Sequence, residues 1–389
     1  MKMKKLLLLF AIAASVFSIS CDGVFDDLHG RINPGDQNDF YVAPDGNDNH
    51  PGWKAYPMAT IGRAIEKATA GDRIHVMAGT YNESVTLKDG VSLYGSYENF
   101  DNVLSPASRN VIAHPSRIIA ASTTGGIYAS GAITQDIVVD SFEIQGRDST
   151  TTSTNALAFT NSGTVIAITV RRCKIISGNT GSQYTNGIVI TGSRVTLINN
   201  IIIIVPDGST SNGNGIVIQD SIVDIFNNTI DYGAIPNYWY GIKMPDTNTT
   251  GTIRIINNVI NAAYAANKTS AILQDTFDPR PVISDVRNNN IVLSGNGSHF
   301  VYESNGQYQT VANMETFLGT AASGNIPGYP AAGDNPFLNR PDDYQLDPDS
   351  PAASAGQNLY SEGITVDIVG NLRPAEPDPW SIGAYQYQE

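Results

Sequence analysis

The feature that most constrains the fold is an internal repeat over residues 186–260. It reads NGIVITGSRVTLINNIIII, then NGIVIQDSIVDIFNNTI and, after an insertion, YGIKMPDTNTTGTIRIINNVI. A fourth copy reads VRNNNIVL, and the aligned asparagines are spaced by 28, 30 and 32 residues. These asparagines are Asn200, Asn228, Asn258 and Asn290. A period of this length indicates structural units that stack on one another.

The apolar residues inside each copy alternate with the period of a β-strand. Ile188, Ile190, Ile216 and Ile218 are therefore expected on one face of their strands. The turns between strands are too short to hold a crossover helix, which excludes α/β units. A chain that coils, with each coil paired in parallel to the next, buries one face of every strand and satisfies the backbone. The sequence predicts an all-β fold, a parallel β-helix.

The Asn-Asn pairs mark the corner between the second and third strands of each coil. Asparagine tolerates the left-handed conformation that a sharp corner needs, and identical amides on successive coils can hydrogen-bond along the stack. In the weaker coils before the repeat, Phe142 and Cys173 occupy the column of Asn200. We therefore expect Cys173 to be a buried stacking residue, and not a nucleophile or a metal ligand.

Composition narrows the class of partner. The chain has 389 residues and a formal net charge of −14, and only 15% of its residues are charged. It has no basic stripe of the kind that a phosphate backbone requires, so nucleic acid is not an expected partner. Cys21 and Cys173 are the two cysteines of the chain, too few for a disulfide framework.

The N-terminal segment has the pattern of an export signal. Residues 1–20 contain three lysines followed by an apolar run that is too short to span a bilayer. Cys21 follows a small residue, which resembles the lipobox of bacterial lipoproteins, although the same residues also suit plain secretion. We expect Cys21 to be lipidated and residues 21–39 to form a flexible tether. The predicted location is a membrane, at the outer membrane or the cell surface.

The ends of the folded part carry a family resemblance. From Tyr41 the chain reads YVAPDGND…PGW…YP…ATIGRAIEKATAGDRIHVMAGTYNESVTLKDGVSLYG. This run resembles the opening of right-handed β-helix proteins of the pectate-lyase-like superfamily. In those proteins a short helix caps the first coil, and here this helix is expected at about Ala59 to Thr69. The tail ending in DIVGNLRPAEPDPWSIGAYQY is similar to the close of secreted bacterial β-helix proteins. The resemblance implies a β-helix with its N-terminal cap over residues 40–305, and last irregular coils with a C-terminal cap over residues 306–389.

In enzymes of that superfamily, polysaccharide binds along the outer face of the strand that begins each coil. If the isoleucines of the repeat point inward, two outward columns follow on this face. The first column is Tyr128, Ala158, Val189, Val217, Lys243 and Leu273. The second column is Ser130, Thr160, Thr191, Gln219, Pro245 and Asp275. Most of these side chains cannot act as an acid or a base.

The resemblance also implies one candidate catalytic arrangement. Lyases of this kind remove a proton next to a uronate carboxylate, using Arg or Lys as base and Ca²⁺ held by several Asp. Lys243 would be the base, and Asp220, Asp246 and Asp275 would be the calcium ligands. The alternatives are a solvated Lys243 and aspartates that cap turns, because Ca²⁺ needs six to eight converging oxygens.

An aromatic insertion is the main candidate for sugar recognition. Tyr238, Trp239 and Tyr240 lead directly into a strand of the repeat, and Asp231 lies just before them. Exposed aromatic rings stack against sugar rings, so these residues and Tyr128 are the expected carbohydrate contacts. The alternative is that the loop packs its aromatic rings onto its own coil.

Three hypotheses on function follow. The first is a surface lipoprotein whose β-helix groove binds extracellular polysaccharide without evident catalysis, since repeated coils form an extended face that matches a linear polymer. The second is a calcium-dependent lyase that cleaves uronate polymers by β-elimination. The third is a structural or adhesive surface protein. No cofactor is required by the first and third hypotheses.

Overall fold

A computed structural model describes most of the chain beyond the predicted signal and tether. The described residues are 39–149, 151–178, 184–205, 212–232, 238–245, 251–262, 268–274, 282–293, 298–302, 306–328, 337–339, 343–375 and 378–387. The predicted signal peptide, Cys21 and the tether up to residue 38 lie outside these ranges. Within the ranges, every helix is too short or too polar to cross a bilayer.

The chain folds as a parallel β-solenoid with three strand-bearing faces, as predicted. The first face contains the strand that begins each coil. Its strands are β4 (Val85–Thr86), β7 (Ile127–Ser130), the first half of β10 (Thr154–Arg171), the first half of β12 (Tyr184–Ile198), β14 (Asn212–Gln219), β17 (Tyr238–Met244), β20 (Lys268–Gln274) and β23 (Ser298–Tyr302). A last strand, β24 (Gly306–Tyr308), pairs with β23 in the antiparallel direction.

The second and third faces complete each coil. The second face is formed by β1 (Asp39–Val42), β2 (Arg73–Met77), β5 (Ser92–Tyr97), β8 (Ile137–Asp140), the second halves of β10 and β12, β15 (Ile222–Phe226), β18 (Thr252–Ile256), β21 (Val282–Arg287) and β25 (Ala322–Ser323). The third face is a separate parallel sheet of β3 (Gly79–Tyr81), β6 (Ser116–Ile119), β9 (Glu143–Gln145), β11 (Lys174–Ile176), β13 (Ile201–Ile204), β16 (Thr229–Tyr232), β19 (Val259–Ala262), β22 (Asn290–Leu293) and β26 (Ile326–Pro327).

The predicted inward residues of the first face lie in the core. Ile188 pairs in register with Ile216, and Ile190 pairs with Ile218. All four side chains are completely buried. Since each fully buried isoleucine contributes about 1.5–3 kcal/mol, this repeated column is a large part of what holds successive coils together.

Stacked serines hold the first corner, between the first and second faces. The backbone N–H of Ser162 donates to Ser193 Oγ at 3.2 Å, and the N–H of Ser193 donates to Ser221 Oγ at 3.1 Å. All three serines are buried. The hydroxyls of Ser193 and Ser221 therefore each give a buried amide of the previous coil the acceptor that it needs.

Stacked asparagines hold the second corner, as predicted. The first residue of each pair is left-handed, with φ between 51° and 59° at Asn199, Asn227, Asn257 and Asn288. The second residue points inward, and its amide donates to the next coil. Asn200 Nδ2 donates to Asn228 Oδ1 at 2.9 Å, and Asn228 Nδ2 donates to Asn258 Oδ1 at 3.1 Å. The prediction of a single file of asparagines is confirmed.

The end of this asparagine ladder differs from the prediction. Asn289, and not Asn290, accepts from Asn258 Nδ2, because Asn288 takes the left-handed position of the Asn-Asn-Asn run. Asn289 Nδ2 then donates to Asn325 Oδ1 at 2.9 Å. Asn325 Nδ2 donates to the Glu315 carboxylate at 2.9 Å. A carboxylate, which only accepts, thus ends a chain of amides that all donate in one direction.

The N-terminal helix α1 (Ile61–Lys67) lies within the predicted range and is amphipathic. Its buried residues, Ile61, Ala64 and Ile65, join the main core, as expected for a cap on the first coil. The Thr60 side chain accepts from the Arg63 backbone N–H, which satisfies one free amide of the helix start. The segment from Ser84 to Tyr94 contains β4 and the start of β5, which a turn divides.

The C-terminal region lies along the solenoid and does not only close its end. Helix α2 (Val311–Leu318) packs beside β25 in the last coil. The hairpin of β27 (Phe337–Asn339) and β28 (Asp343–Leu346) leads into what we call the strap, residues 343–375 and 378–387. The strap contacts coils from the one with Asn288 back to the one with Asn199. Residues 343–375 and 378–387 therefore form a lateral strap on the solenoid, and the predicted domain boundaries stay a prediction.

The strap explains an uninterrupted apolar run in the third face. Ile201, Ile202, Ile203 and Ile204 are all buried, although strand side chains alternate in direction. Ile202 and Ile204 face the solenoid core, whereas Ile201 and Ile203 pack against strap residues. A strand that is covered on both sides reads as a continuous hydrophobic run.

Candidate functional site

The register of the first face confirms the first outward column. Consecutive strands place Tyr128, Ala158, Val189, Val217, Lys243 and Leu273 in line. Ala158 and Leu273 are only 5% and 4% exposed, however. Val189, Val217 and Lys243 are half-buried and form the accessible part of the column. The candidate site is therefore the middle of this face, from β12 to β17.

Two tyrosine rings and a lysine converge in this window. The Lys243 Nζ atom lies 5.3 Å from the centre of the Tyr240 ring and 5.9 Å from that of Tyr184. The Tyr184 side chain is 43% exposed, and the other two are half-buried. We call Tyr184, Tyr240 and Lys243 the tyrosine–lysine cluster. It combines a positive charge with accessible aromatic surface.

Local backbone geometry brings Tyr240 and Lys243 to the same side of β17. They are three residues apart and would face opposite ways in a regular strand. The burial pattern along the strand shows that the alternation is broken between Tyr240 and Ile242, at Gly241. A Cβ atom on Gly241 would lie 2.7 Å from the Ala271 carbonyl oxygen, so glycine permits this close approach of two strands.

The third member of the cluster comes from a different coil. Tyr184 begins β12, and its register partners are Asn212 and then Tyr238 of β17. The long Lys243 side chain reaches back over the intervening strand to the Tyr184 ring. No local sequence pattern predicts the contact between Tyr184 and Lys243, because Tyr184 lies at the start of a strand two coils before the aromatic insertion. The contact follows only from the register of the coils.

The prediction that Trp239 is an exposed sugar contact is wrong. Its side chain is completely buried and meets the Tyr232 ring edge-on, with 5.9 Å between ring centres. Its register partner in the previous coil is Gly213, and the indole lies beside the space that a side chain there would fill. The alternative interpretation, that the insertion packs an aromatic ring onto its own coil, holds for Trp239.

The prediction that Asp231 contacts substrate is also wrong. Asp231 is completely buried in the third face under the strap. Its carboxylate accepts hydrogen bonds from Tyr344 Oη at 2.8 Å and from Asn261 Nδ2 at 3.0 Å. Asp231 therefore attaches the strap to the solenoid. Tyr128 and Tyr238 are half-buried on the first face, and their role as sugar contacts stays a prediction.

The structure describes one of the three predicted calcium ligands. Asp246 and Asp275 lie outside the described residues. Asp220 has a φ of 48° and occupies the first corner, where Gly192 of the previous coil has a φ of 57°. This is the turn position that the alternative interpretation expected for Asp220. Across the described ranges, no group of three or more His, Cys, Asp or Glu side chains is placed to hold a metal ion.

Cys173 lies in the core, as predicted. It is completely buried in the column of the asparagine ladder, and its backbone N–H donates to Asn200 Oδ1 at 3.0 Å. Burial raises the pKa of its thiol to about 12. The sulfur is therefore a protonated packing group at neutral pH and not a nucleophile.

Comparisons with known sequences match parts of this chain. A model of a family described as protein of unknown function, DUF1565, matches residues 44–116. The uncharacterized protein YwoF of Bacillus subtilis (strain 168) is 31% identical over 138 residues. That match covers 34% of this chain and 29% of YwoF, so less than a third of the relative's length is matched. Neither description names an activity.

Several solved structures of carbohydrate-active proteins are similar at low identity. Pectin methylesterase PemA from Erwinia chrysanthemi aligns with a TM-score of 0.33 and 14% identity, over 72% of this chain and 97% of that chain. A rhamnogalacturonan lyase aligns with a TM-score of 0.31 and 10% identity, over 87% and 95%. Pectate lyase Pel9A aligns with a TM-score of 0.29 and 12% identity, over 90% and 96%. TM-scores this low assign no activity to this chain.

Proposed function

We propose that the outer surface of the first face binds an extracellular polysaccharide at the tyrosine–lysine cluster. The observation that carries this proposal is the position of the Lys243 ammonium between two tyrosine rings, one of them 43% exposed. Aromatic rings offer apolar faces to the C–H groups of sugars, and the ammonium offers three hydrogen-bond donors. The combination suits a sugar that carries hydroxyl and carboxylate groups.

The solenoid gives this cluster a suitable setting. Outward side chains of successive coils are spaced by about 4.8 Å along the axis, so a linear polymer meets a repeated series of contacts. Val189 and Val217 provide half-buried apolar surface beside Lys243. We infer that the polymer lies along the axis, over β12, β14 and β17.

The lyase alternative has less support from the same geometry. A lysine base of this kind acts beside a calcium ion held by several carboxylates, and the described residues contain no group of three or more side chains placed to hold a metal ion. Asp220 occupies a turn position, and the calcium hypothesis otherwise depends on Asp246 and Asp275. Ca²⁺ is therefore included in the test below as a variable, and not as part of the proposal.

A glycan array measured with and without Ca²⁺ tests the proposal. The test variants are Tyr184→Ala and Lys243→Gln. Tyr56→Ala and Lys54→Gln serve as matched controls, since Tyr56 and Lys54 are exposed residues of the N-terminal loop, away from the first face. We expect each test variant to weaken binding about fivefold to tenfold, in line with about 1 kcal/mol for one ring or cation contact.

Three outcomes would contradict the proposal. They are an array without signal, binding that the test variants and the controls change equally, and unsaturated uronate products that disappear in Lys243→Gln. The last outcome would establish the lyase alternative. An array without signal would leave the structural or adhesive hypothesis as the remaining one.

We also propose that the protein is exported and anchored by a lipid on Cys21. The support is the sequence of residues 1–21, in which a basic start and an apolar run precede a cysteine. Such an anchor would hold the carbohydrate-binding face at the cell envelope. Intact-mass measurement of the protein from membranes should show an acylated N-terminal cysteine, and a mature N-terminus without lipid would contradict the anchor.

A further inference from the structure

A cluster of charged residues lies at the second corner, away from the tyrosine–lysine cluster. Asp140 at the end of β8 is completely buried. Arg172 binds it with two hydrogen bonds, from Nε at 2.8 Å and from Nη2 at 2.7 Å. Arg171 donates from Nε at 2.9 Å, and Arg109 Nη2 lies 3.3 Å from the same carboxylate. Three guanidinium groups therefore share one carboxylate.

The cluster carries a surplus of positive charge. Arg109 and Arg172 are only 3% and 2% exposed. In the part of the chain that the structure describes, Asp140 is the carboxylate within ion-pair distance of all three arginines. Three positive charges thus share one negative charge; two of the cations are buried, whereas the Arg171 side chain is 38% exposed. A buried charge without a counter-charge is costly, so this arrangement favours a second anion.

Neutral groups reduce the surplus without cancelling it. The Arg109 guanidinium lies 5.0 Å from the Tyr94 ring centre and 5.6 Å from that of Tyr97, and its Nη1 donates to Tyr97 Oη. Arg172 Nη1 donates to the Pro106 carbonyl oxygen at 3.1 Å. These contacts stabilise two of the cations but bring no negative charge.

Arg171, the third arginine of the cluster, has hydrogen-bond donors that Asp140 does not use, and it borders a cavity. Arg171 uses its Nε atom on Asp140, and its two Nη groups have no acceptor among the described residues. Arg171 and Arg172 line a cavity of about 80 Å³ together with Pro106 and strap residues 363–366. Since one water molecule takes about 30 Å³ in the liquid, this space admits an anion of a few non-hydrogen atoms.

We propose that this cavity binds a small oxyanion through the Nη groups of Arg171. A planar guanidinium presents paired N–H donors whose spacing matches two oxygens of a carboxylate, phosphate or sulfate. The ligand would neutralise part of the surplus charge and touch both the solenoid and the strap. Two sources have the shared chemistry, namely free inorganic phosphate or sulfate and the carboxylate of an acidic sugar.

Isothermal titration calorimetry on the mature chain tests the site. Separate titrations use sodium phosphate, sodium sulfate and sodium glucuronate at one constant ionic strength. Arg171→Gln is the test variant, and Arg171→Lys keeps the charge but loses the paired donors. Arg63→Gln is the matched control, because it removes one positive charge from an exposed position on α1. Circular dichroism confirms that each variant is folded; Arg172 and Arg109 still hold Asp140 in Arg171→Gln.

We expect at least one anion to bind and Arg171→Gln to weaken its binding about tenfold or more, because a charge-assisted pair is lost. Arg171→Lys should give an intermediate dissociation constant, and Arg63→Gln the unchanged value.

Binding of phosphate or sulfate alone supports an inorganic ligand, and binding of glucuronate alone supports an acidic sugar. The site is disproved if none of the three anions binds, or if Arg171→Gln and Arg63→Gln bind equally. Glycan binding at Tyr184 is a separate measurement, so either proposal can fail alone.

Discussion

The second corner of the solenoid is built from two different chemistries along its length. In the later coils, both corner positions are asparagines, with one amide in the ladder and the other donating to a backbone carbonyl of the strap. In the earlier coils, the corners are Ser141-Phe142 and Arg172-Cys173, beside the buried charge cluster around Asp140. All of these corners begin with a left-handed residue, with φ values of 64° at Ser141 and 53° at Arg172. The backbone geometry is thus common to both halves, while the interactions that hold it are not.

The comparison shows that the second corner of the solenoid requires polar groups with hydrogen-bond or ion-pair partners. Different residues can supply these groups. In the later coils, neutral amides accept from the backbone N–H of the preceding coil, as Asn228 Oδ1 does from Asn200 at 2.9 Å. In the earlier coils, the strands are joined beside the corner by charge. We therefore expect the two halves to differ in their sensitivity to mutation and to pH.

The largest effect is expected at the charge cluster. Asp140→Asn removes the negative charge that three arginines share, and leaving buried charges unpaired typically costs about 3–5 kcal/mol. The free energy of unfolding in urea measures this loss. Glu66→Gln is the matched control, because Glu66 pairs with Arg63 where the two side chains are 68% and 42% exposed, and such a surface pair contributes about 1 kcal/mol or less.

Equal losses in these two variants would contradict the importance of the cluster. Binding of an anion in the cavity beside Arg171 would change the free energy of unfolding in a defined way. If phosphate or sulfate occupies the neighbouring cavity, adding it should raise the stability of the wild-type chain and leave that of the Arg171→Gln variant unchanged.

A somewhat smaller effect is expected in the amide ladder. Asn228 accepts from the backbone N–H and the Nδ2 of Asn200, and its own Nδ2 donates to the Leu197 and Phe226 carbonyls. Asn228→Ala leaves several buried groups unpaired, which should cost about 2–4 kcal/mol, from about 1–3 kcal/mol for each lost partner. Asn102→Ala, at an exposed position, is the control and should change stability by about 0.5 kcal/mol or less.

Equal free energies of unfolding for Asn228→Ala and Asn102→Ala would contradict a stabilising role of the asparagine ladder. Hydrogen exchange adds a second measurement. The amide of Asn200, which loses its acceptor, should exchange faster in Asn228→Ala, while amides of the earlier coils should keep their protection.

The sequence predicted the repeating part of this structure because each periodic residue has one dominant role. The inward isoleucines and the asparagine file follow from spacing alone, since a solenoid repeats the same environment in every coil. The run at Asn288 to Asn290 was ambiguous because each of its three asparagines could occupy either corner position. The strap had a visible signal in the run from Ile201 to Ile204, which an outward face exposed to water would not contain.

The candidate site was harder to predict because it departs from the repeat. Trp239 and Tyr240 are adjacent, and which of them faces outward depends on the break in alternation at Gly241. The meeting of Tyr184 with Lys243 depends on register across two coils. The charge cluster joins Arg109, Asp140 and Arg172 from three separate segments, and no spacing in the sequence indicates that contact.

Acid should weaken the earlier coils through Asp140. Burial opposes ionisation of this carboxyl, but the charges of Arg172, Arg109 and Arg171 outweigh burial and lower its pKa. A lowered folded-state pKa gives stability that is complete above the unfolded value of about 3.9 and is lost as the pH falls through the folded value. Urea unfolding at pH 6 and pH 3 should show the wild-type advantage over Asp140→Asn shrinking by up to about 1.4 kcal/mol per pH unit below pH 4. A constant advantage would contradict this role.

The smallest effect is expected where the two chemistries meet, at Cys173. Its backbone N–H already donates to Asn200 Oδ1, and an asparagine here would add a second donor to that oxygen, as Asn200 does to Asn228. The Phe142 amide, which now faces the thiol, would donate to the new Oδ1.

If the corner backbone is the same in both halves, Cys173→Asn should extend the ladder by one coil and change the free energy of unfolding by about 1 kcal/mol or less, the ordinary effect of one substitution. Cys173→Leu is the comparison variant and should lose about 1–3 kcal/mol through overpacking. An equal loss in both variants would show that the earlier corner cannot accept the amide chemistry of the later one, and that the shared φ value is not sufficient for a common corner.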